Sequence, residues 1–241
     1  MYSIYLKEIR SFFNSLIAYL VIVLFLSITG LYIWVIPETI FDGEEASLYM
    51  LFDLGPFVFL FLIPAITMRS FSEEKKAGTL ELILTKPISE LQLVLGKYFA
   101  NFTLVAFSVI PTLVYYYSLY ELGAQKGNID SAGVFGSYFG LLLLAAVFTS
   151  IGVFCSSLTE NQIVAFIMTL ILCLFFLFGF TYLTELFKWG VLAVYLDQLG
   201  LIEHYTSMSK GVLDSRDVFY FISVVALFLG ATRLVLLSRK W

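Results

Sequence analysis

Six separate stretches of about 20 predominantly apolar residues run along this chain, more than a water-soluble domain of its size can bury. They occupy 16–36, 51–68, 98–120, 133–154, 163–183 and 218–237. Each has the length that an α-helix needs to cross roughly 30 Å of hydrocarbon at about 1.5 Å per residue. Open strands cannot replace them, because unpaired backbone groups cannot face lipid. The second stretch is the least regular, with Asp53 near its start and Pro56 and Pro64 inside it. Of the 241 residues, 60% are hydrophobic and 13% charged, against about 25% charged in an ordinary soluble domain. That leaves too few polar groups to cover a water-facing surface. The 25 Phe and 15 Tyr suit lipid contact and interfacial belts. The expected fold is an all-α membrane protein with six transmembrane helices. No internal repeat or low-complexity tract divides it, so 1–241 reads as one transmembrane domain.

Basic residues set the orientation, since they gather on the cytoplasmic side. With the N-terminus inside, the inner segments hold Lys7, Arg10, Arg69, Lys75, Lys76, Lys86, Lys97, Arg233, Arg239 and Lys240. The outer connections keep only Lys126, Lys188, Lys210 and Arg216. The first outer connection is acidic, with Glu38, Asp42, Glu44 and Glu45. Both termini are therefore expected in the cytoplasm. The first span is too long for an ordinary secretory signal and no A-x-A site follows it, so it reads as retained. Arg233 can snorkel to the cytoplasmic headgroups as an anchor.

Tyr2, Tyr5, Ile9, Phe12, Phe13 and Leu16 recur at spacings of three and four, with Lys7, Glu8, Arg10 and Asn14 mostly between them. This pattern predicts an amphipathic helix over 1–15, lying in the membrane interface. The one long cytoplasmic excursion runs from Arg69 to Lys97. Ser72 is placed to cap a helix whose first turn carries Glu73 and Glu74, against the positive end of the helix dipole. Leu80, Leu82, Ile83 and Leu84 follow, and Pro87 stops or turns the chain. Ser89 and Gln92 then form a capping box for a helix that continues into the third span. Thr159-Glu160-Asn161-Gln162 offers another at the start of the fifth, which leaves a very short loop before it. The connection 184–217 is long and apolar. Trp189, Val191, Leu192, Val194, Tyr195 and Leu196 are expected to dip into the bilayer as a re-entrant hairpin, with turns at Gly190, Gly200 and Gly211. Backbone at that depth must be covered by protein.

Several kinds of chemistry are missing. No G-x-x-x-x-G-K-[ST] loop is present; Gly96-Lys97 precedes Tyr98 and lacks the earlier glycine. The spans carry too few ionisable residues for a proton or sodium relay, and Asp53 reads as a solvated or capping carboxylate. His204 is the single histidine and has no Ser or Cys motif beside it. Cys155 and Cys173 lie in apolar runs and read as small hydrophobes, and two Cys with one His do not make a structural zinc site. The basic residues form no patch for nucleic acid. No cofactor is expected. Any work is then driven by a partner, and the 73–84 helix is where one could push. Glu73, Glu74, Lys75, Lys76 and Glu81 give it a charged face; Leu80, Ile83 and Leu84 give it an apolar one. Gly78 allows close backbone approach. An ordinary charged loop fits the same physical pattern.

The stretch E-E-K-K-A-G-T-L-E-L-I-L-T-K-P-I-S at 73–89, followed by Leu95-Gly96-Lys97, resembles the signature of ABC-2 type transporter permeases. In that family the signature lies between the second and third of six spans. The resemblance extends over the whole chain, from the interfacial N-terminal helix to the partly re-entrant outer connection. Within the family the sequence is most similar to permease subunits of gliding-motility ABC transporters, through F-L-I-P-A-I-T-M-R-S-F-S at 61–72, T-K-P-I-S at 85–89, S-L-T-E-N-Q-I-V-A-F at 157–166 and K-G-V-L-D-S-R-D-V-F-Y-F at 210–221. The resemblance implies a subunit of the bacterial inner membrane that hydrolyses no ATP itself. It implies a cytoplasmic ABC ATPase subunit as partner and a second permease-type subunit, as homodimer or heterodimer, within membrane lipid. By that resemblance, Glu73, Glu74, Gly78, Thr79, Glu81 and Pro87 are ATPase-coupling positions, and the re-entrant piece is a lid over the path.

Two readings of different kinds follow: an exporter subunit serving motility or secretion, or a membrane anchor that recruits a cytoplasmic partner and transports nothing. Gating that depends on ATP hydrolysis separates them. An intramembrane enzyme lacks the clustered carboxylates or histidines such chemistry needs.

Overall fold

The computed structural model describes residues 1–35, 47–85, 87–123, 129–187 and 191–238. The acidic group Glu38, Asp42, Glu44 and Glu45, together with Lys86, Lys126, Lys188, Trp189, Gly190, Arg239 and Lys240, lies outside them. Among the described residues all regular structure is helical.

Helix α1 (Tyr2–Phe13) precedes α2 (Leu16–Trp34), and the two are bent by 68° at a break around Asn14 and Ser15. Helix α3 (Tyr49–Thr67) leads through a turn into the short α4 (Ser72–Lys76) and α5 (Thr79–Leu84). Helix α6 (Glu90–Val109) continues over a 3₁₀ turn at Ile110–Thr112 into α7 (Leu113–Leu122). Next come α8 (Ser131–Leu158) and α9 (Gln162–Leu174), the latter joined by a π turn at Phe175–Gly179 to α10 (Phe180–Phe187). Two short helices, α11 (Val191–Asp197) and α12 (Leu201–Ser209), lie before the last, α13 (Ser215–Ser238).

Five helical runs are long and apolar enough to cross a membrane: Tyr49–Lys76, Glu90–Leu122, Ser131–Leu158, Gln162–Leu186 and Ser215–Ser238. The bent pair α1 and α2 makes a sixth if it is counted as one span. The second apolar stretch, least regular in sequence, forms a continuous helix around Pro56 and Pro64. Helix α8 is the centre of the bundle, packed against α3, α6, α9, α12 and α13. Its most apolar stretch is 72% buried, against 22% for Gln162–Leu186, which therefore lies at the periphery. Small residues let the central helix be approached closely. A Cβ on Gly152 would stand 2.0 Å from Thr67 Oγ1, and one on Gly140 would stand 2.5 Å from Met208 Cβ.

Three local expectations change. The single helix expected over 73–84 is two helices meeting at an elbow, because Gly78 takes a left-handed φ of 67° after Ala77 closes α4. Ser72 does not cap it: its hydroxyl donates back to the Met68 carbonyl, since α4 follows directly from the turn that ends α3. Before α9 the cap is Asn161, whose Oδ1 accepts from Ile163 N at 2.9 Å, rather than a box built on Thr159. The Ser89–Gln92 capping box forms as expected, with bonds of 3.3 and 3.4 Å.

Within the outer connection, Trp189 and Gly190 of the expected hairpin lie outside the described residues, and the helix buried in the bundle is α12. Tyr195 on α11 is exposed, whereas Leu201, Tyr205 and Met208 on α12 are buried against α8 and α3. Gly140 of α8 leaves the room that Met208 of α12 occupies, since a Cβ there would stand 2.5 Å from Met208 Cβ.

Candidate functional site

The elbow between α4 and α5 stands at the end of the bundle opposite α12. Leu80 is buried in a small apolar cluster with Phe71, Leu93 and Val94, and Ile83 and Leu84 pack partly against it. With the apolar face spent inward, Glu73, Lys76, Gly78, Thr79, Glu81, Leu82 and Pro87 remain exposed. Five of the six positions marked by the signature are therefore exposed. Glu74 is the exception, with a side chain 13% exposed against 51% for Glu73.

Glu74 turns toward the base of α6. Lys97 there is 1% exposed, and its Nζ lies 3.0 Å from Glu74 Oε2 and 3.0 Å from Glu8 Oε1 on α1. It also donates to the Ser70 carbonyl at 2.6 Å and lies 5.2 Å from the centre of the Phe71 ring. One buried cation thus joins α1, the α3–α4 turn, α4 and α6. Asn101, one turn further along α6, donates to Ser70 Oγ at 2.8 Å and so holds the same turn. Lys7 closes the network with a 3.0 Å bond to Glu74 Oε1. Partial burial works to lower the Lys7 pKa, but the hydrogen bond and charge of Glu74, aided by Glu8, outweigh it and raise it above the ordinary lysine value. Between these groups lies a cleft of about 440 Å³, lined among others by Lys7, Glu8, Arg69, Glu73, Glu74 and Lys97.

A second clamp comes from α8. Ser156 Oγ accepts from the Phe71 and Ser72 amides at 2.9 and 3.1 Å and donates to the Met68 carbonyl at 3.0 Å. The free N–H groups at the start of α4 and a carbonyl at the end of α3 are satisfied by one hydroxyl. Lys75 donates to the Ser157 carbonyl beside it. A displacement of the elbow is therefore felt directly by α1, α6 and α8. The arrangement braces an exposed surface through buried polar bonds.

The sequence pattern marks Glu73, Glu74, Gly78, Thr79, Glu81 and Pro87 but not Glu8, Lys97, Asn101 and Ser156, which support them. The available signal was Lys97, about two turns into the largely apolar α6, where a buried charge needs a partner.

The other candidates do not assemble into a centre. His204 places Nδ1 2.7 Å from Asp217 Oδ1 and Nε2 2.8 Å from the Gln198 carbonyl, with its ring stacked on Tyr220 at 4.0 Å. The contact with Asp217 and the stacking on Tyr220 tie α12 to α13. Asp53 is exposed on α3 and caps nothing. Cys155 and Cys173 are buried and unbridged. Among the described residues no three His, Cys, Asp or Glu side chains are grouped to hold a metal ion.

A comparison with known families matches residues 35–237 to one described as ABC-2 family transporter protein. No curated protein matches the chain.

Proposed function

The chain belongs to the ABC-2 family of transporter proteins, and from that premise we propose that it is the permease subunit of an exporter serving gliding motility or secretion. The observation that carries this reading is the elbow, an exposed surface braced against three other helices by buried polar bonds. A separate ATPase subunit docks there, contacting Glu73, Gly78, Thr79, Glu81 and Pro87, while Glu74 holds the elbow to α6 and α1. In this reading α1 lies in the cytoplasmic interface, α1 and α2 count as the first of six spans, and the whole chain forms one transmembrane domain. Both termini and the elbow are cytoplasmic, in a bacterial inner membrane. The peripheral α9 and α10 face lipid or a second permease subunit, since little of their apolar surface is covered within the chain. ATP-driven closure of the docked subunits rocks the two permease units and opens a path between them.

The test is ATP hydrolysis by the complex that copurifies with the chain in mild detergent. A Cβ on Gly78 would meet nothing within 4 Å, so a larger residue there extends from an open position where a docked partner would meet it. The internal cost is the left-handed backbone, about 1–2 kcal/mol. Gly78→Trp and Glu73→Lys are expected to lower the copurifying activity about tenfold or more while the chain still inserts and runs as a folded species. Intact complexes with no ATPase subunit and no hydrolysis would leave the non-transporting anchor as the better account.

A further inference from the structure

Pro56 lies inside α3, where its ring nitrogen has no hydrogen to give. The carbonyl four residues earlier, that of Phe52, is thereby left without its helical donor. Phe52 is itself buried, so this acceptor has no access to water at the side-chain level. The donor comes from the other end of the sequence: Tyr205 Oη on α12 lies 2.5 Å from the Phe52 oxygen, and Tyr205 is 3% exposed. Pro64 in the same helix frees the Leu60 carbonyl in the same way, yet no side chain among the described residues donates to that group.

Most of the remaining packing of α12 is against α8, with further contacts to the π turn at Phe175–Gly179 and to α13 through His204 and Asp217. Met208 packs over Gly140, and the Ser209 carbonyl accepts from Ser137 Oγ at 2.9 Å. Gly211, with φ of 82°, lies against Gly133 and Gly136. Tyr205 is thus the polar link between the inserted helix and the second apolar stretch.

We propose that Tyr205 is a positioning residue whose phenol replaces the amide that Pro56 lacks, so that seating of α12 and satisfaction of the α3 backbone are a single event. Withdrawing α12 strands a buried carbonyl; keeping that carbonyl satisfied keeps α12 in place. The end of the bundle opposite the elbow then has two discrete arrangements, with Tyr205 on Phe52 or off it. This inference does not rest on the docking of an ATPase.

The test is a double-mutant cycle in the full-length protein in lipid nanodiscs. Met208→Cys, at a position fully buried against α8, reports release of α12 through its labelling rate with a membrane-impermeant maleimide. Tyr205→Phe in this background is expected to speed labelling about tenfold, the shift expected when a buried carbonyl loses its donor. Pro56→Ala restores a backbone N–H to that carbonyl, so adding Tyr205→Phe to it should change the rate less than about twofold. Pro64→Ala should leave the tenfold effect in place. The proposal is overturned if Tyr205→Phe has no effect alone, or has the same effect with and without Pro56→Ala. Should Tyr205→Phe prevent accumulation of the protein, recovery in the Pro56→Ala background supports the proposal, and recovery only with Pro64→Ala or with neither overturns it.

Discussion

Replacing Lys97 with Met is expected to destabilise the folded chain by about 3 kcal/mol or more, because removing one partner of a buried ion pair leaves an uncompensated charge. Here Glu8 and Glu74 would lose their buried cation and keep only Lys7, whose Nζ lies 3.6 and 3.0 Å from them but whose side chain is 60% exposed. Neither could turn fully to water, since their side chains are 15% and 13% exposed. The Ser70 carbonyl would lose its lysine donor as well. Thermal unfolding in detergent checks this, with a fall in midpoint well beyond that of a surface substitution. Adding Glu8→Gln and Glu74→Gln to Lys97→Met should recover much of the loss, as two neutral amides tolerate the site. Arg69 and Glu73 provide the contrast: that pair is 2.9 Å apart but half open to solvent, where such bridges contribute about 0–1 kcal/mol. If Lys97→Met melts where Arg69→Ala melts, the buried network is not what braces the elbow.

Gly211→Ala carries the second large effect. Its φ of 82° is unfavourable for any residue with a Cβ, at about 1–2 kcal/mol. The added carbon would also stand 2.3 Å from Gly133 Cα and 2.8 Å from the Gly133 oxygen. Those atoms belong to the α8 backbone and cannot rotate away, so the loop after α12 must lift from its seat, at about a further 1–3 kcal/mol. A lowered unfolding midpoint together with exposure of α12 to protease is the expected result. Gly230→Ala on α13 is the matched control. Nothing lies within 4 Å of its Cβ, and alanine there should be neutral or slightly stabilising through helix propensity. Equal effects at the two glycines would mean that backbone conformation and close approach at Gly211 do not matter.

The two substitutions separate what neighbours in sequence can reveal from what they cannot. Each apolar stretch is set by residues adjacent to one another, since about 20 of them in a row have one stable solvent. The Ser89–Gln92 cap is equally local, reaching three residues. The apolar face of Leu80, Ile83 and Leu84 is legible for the same reason, and so is the exposure of Glu73 and Glu81. Family membership over 35–237 follows from that local pattern as well.

Tertiary structure decided the rest. Glu73 and Glu74 are indistinguishable as neighbouring acids; only the position of Lys97 makes one a surface charge and the other part of a buried pair. Ser156 rather than Ser72 satisfies the amides that begin α4, and the two are 84 residues apart. Lys97 and Glu8 are separated by 89 residues, and Tyr205 and Phe52 by 153. The seat of α12 and of the loop after it depends on Gly140, Gly136 and Gly133 of α8, more than 60 residues earlier in the chain. Apolar length is a property of a segment in its solvent and is written where it acts. A buried polar group must instead find whichever partner packing brings within about 3 Å, and packing is not a property of any one segment.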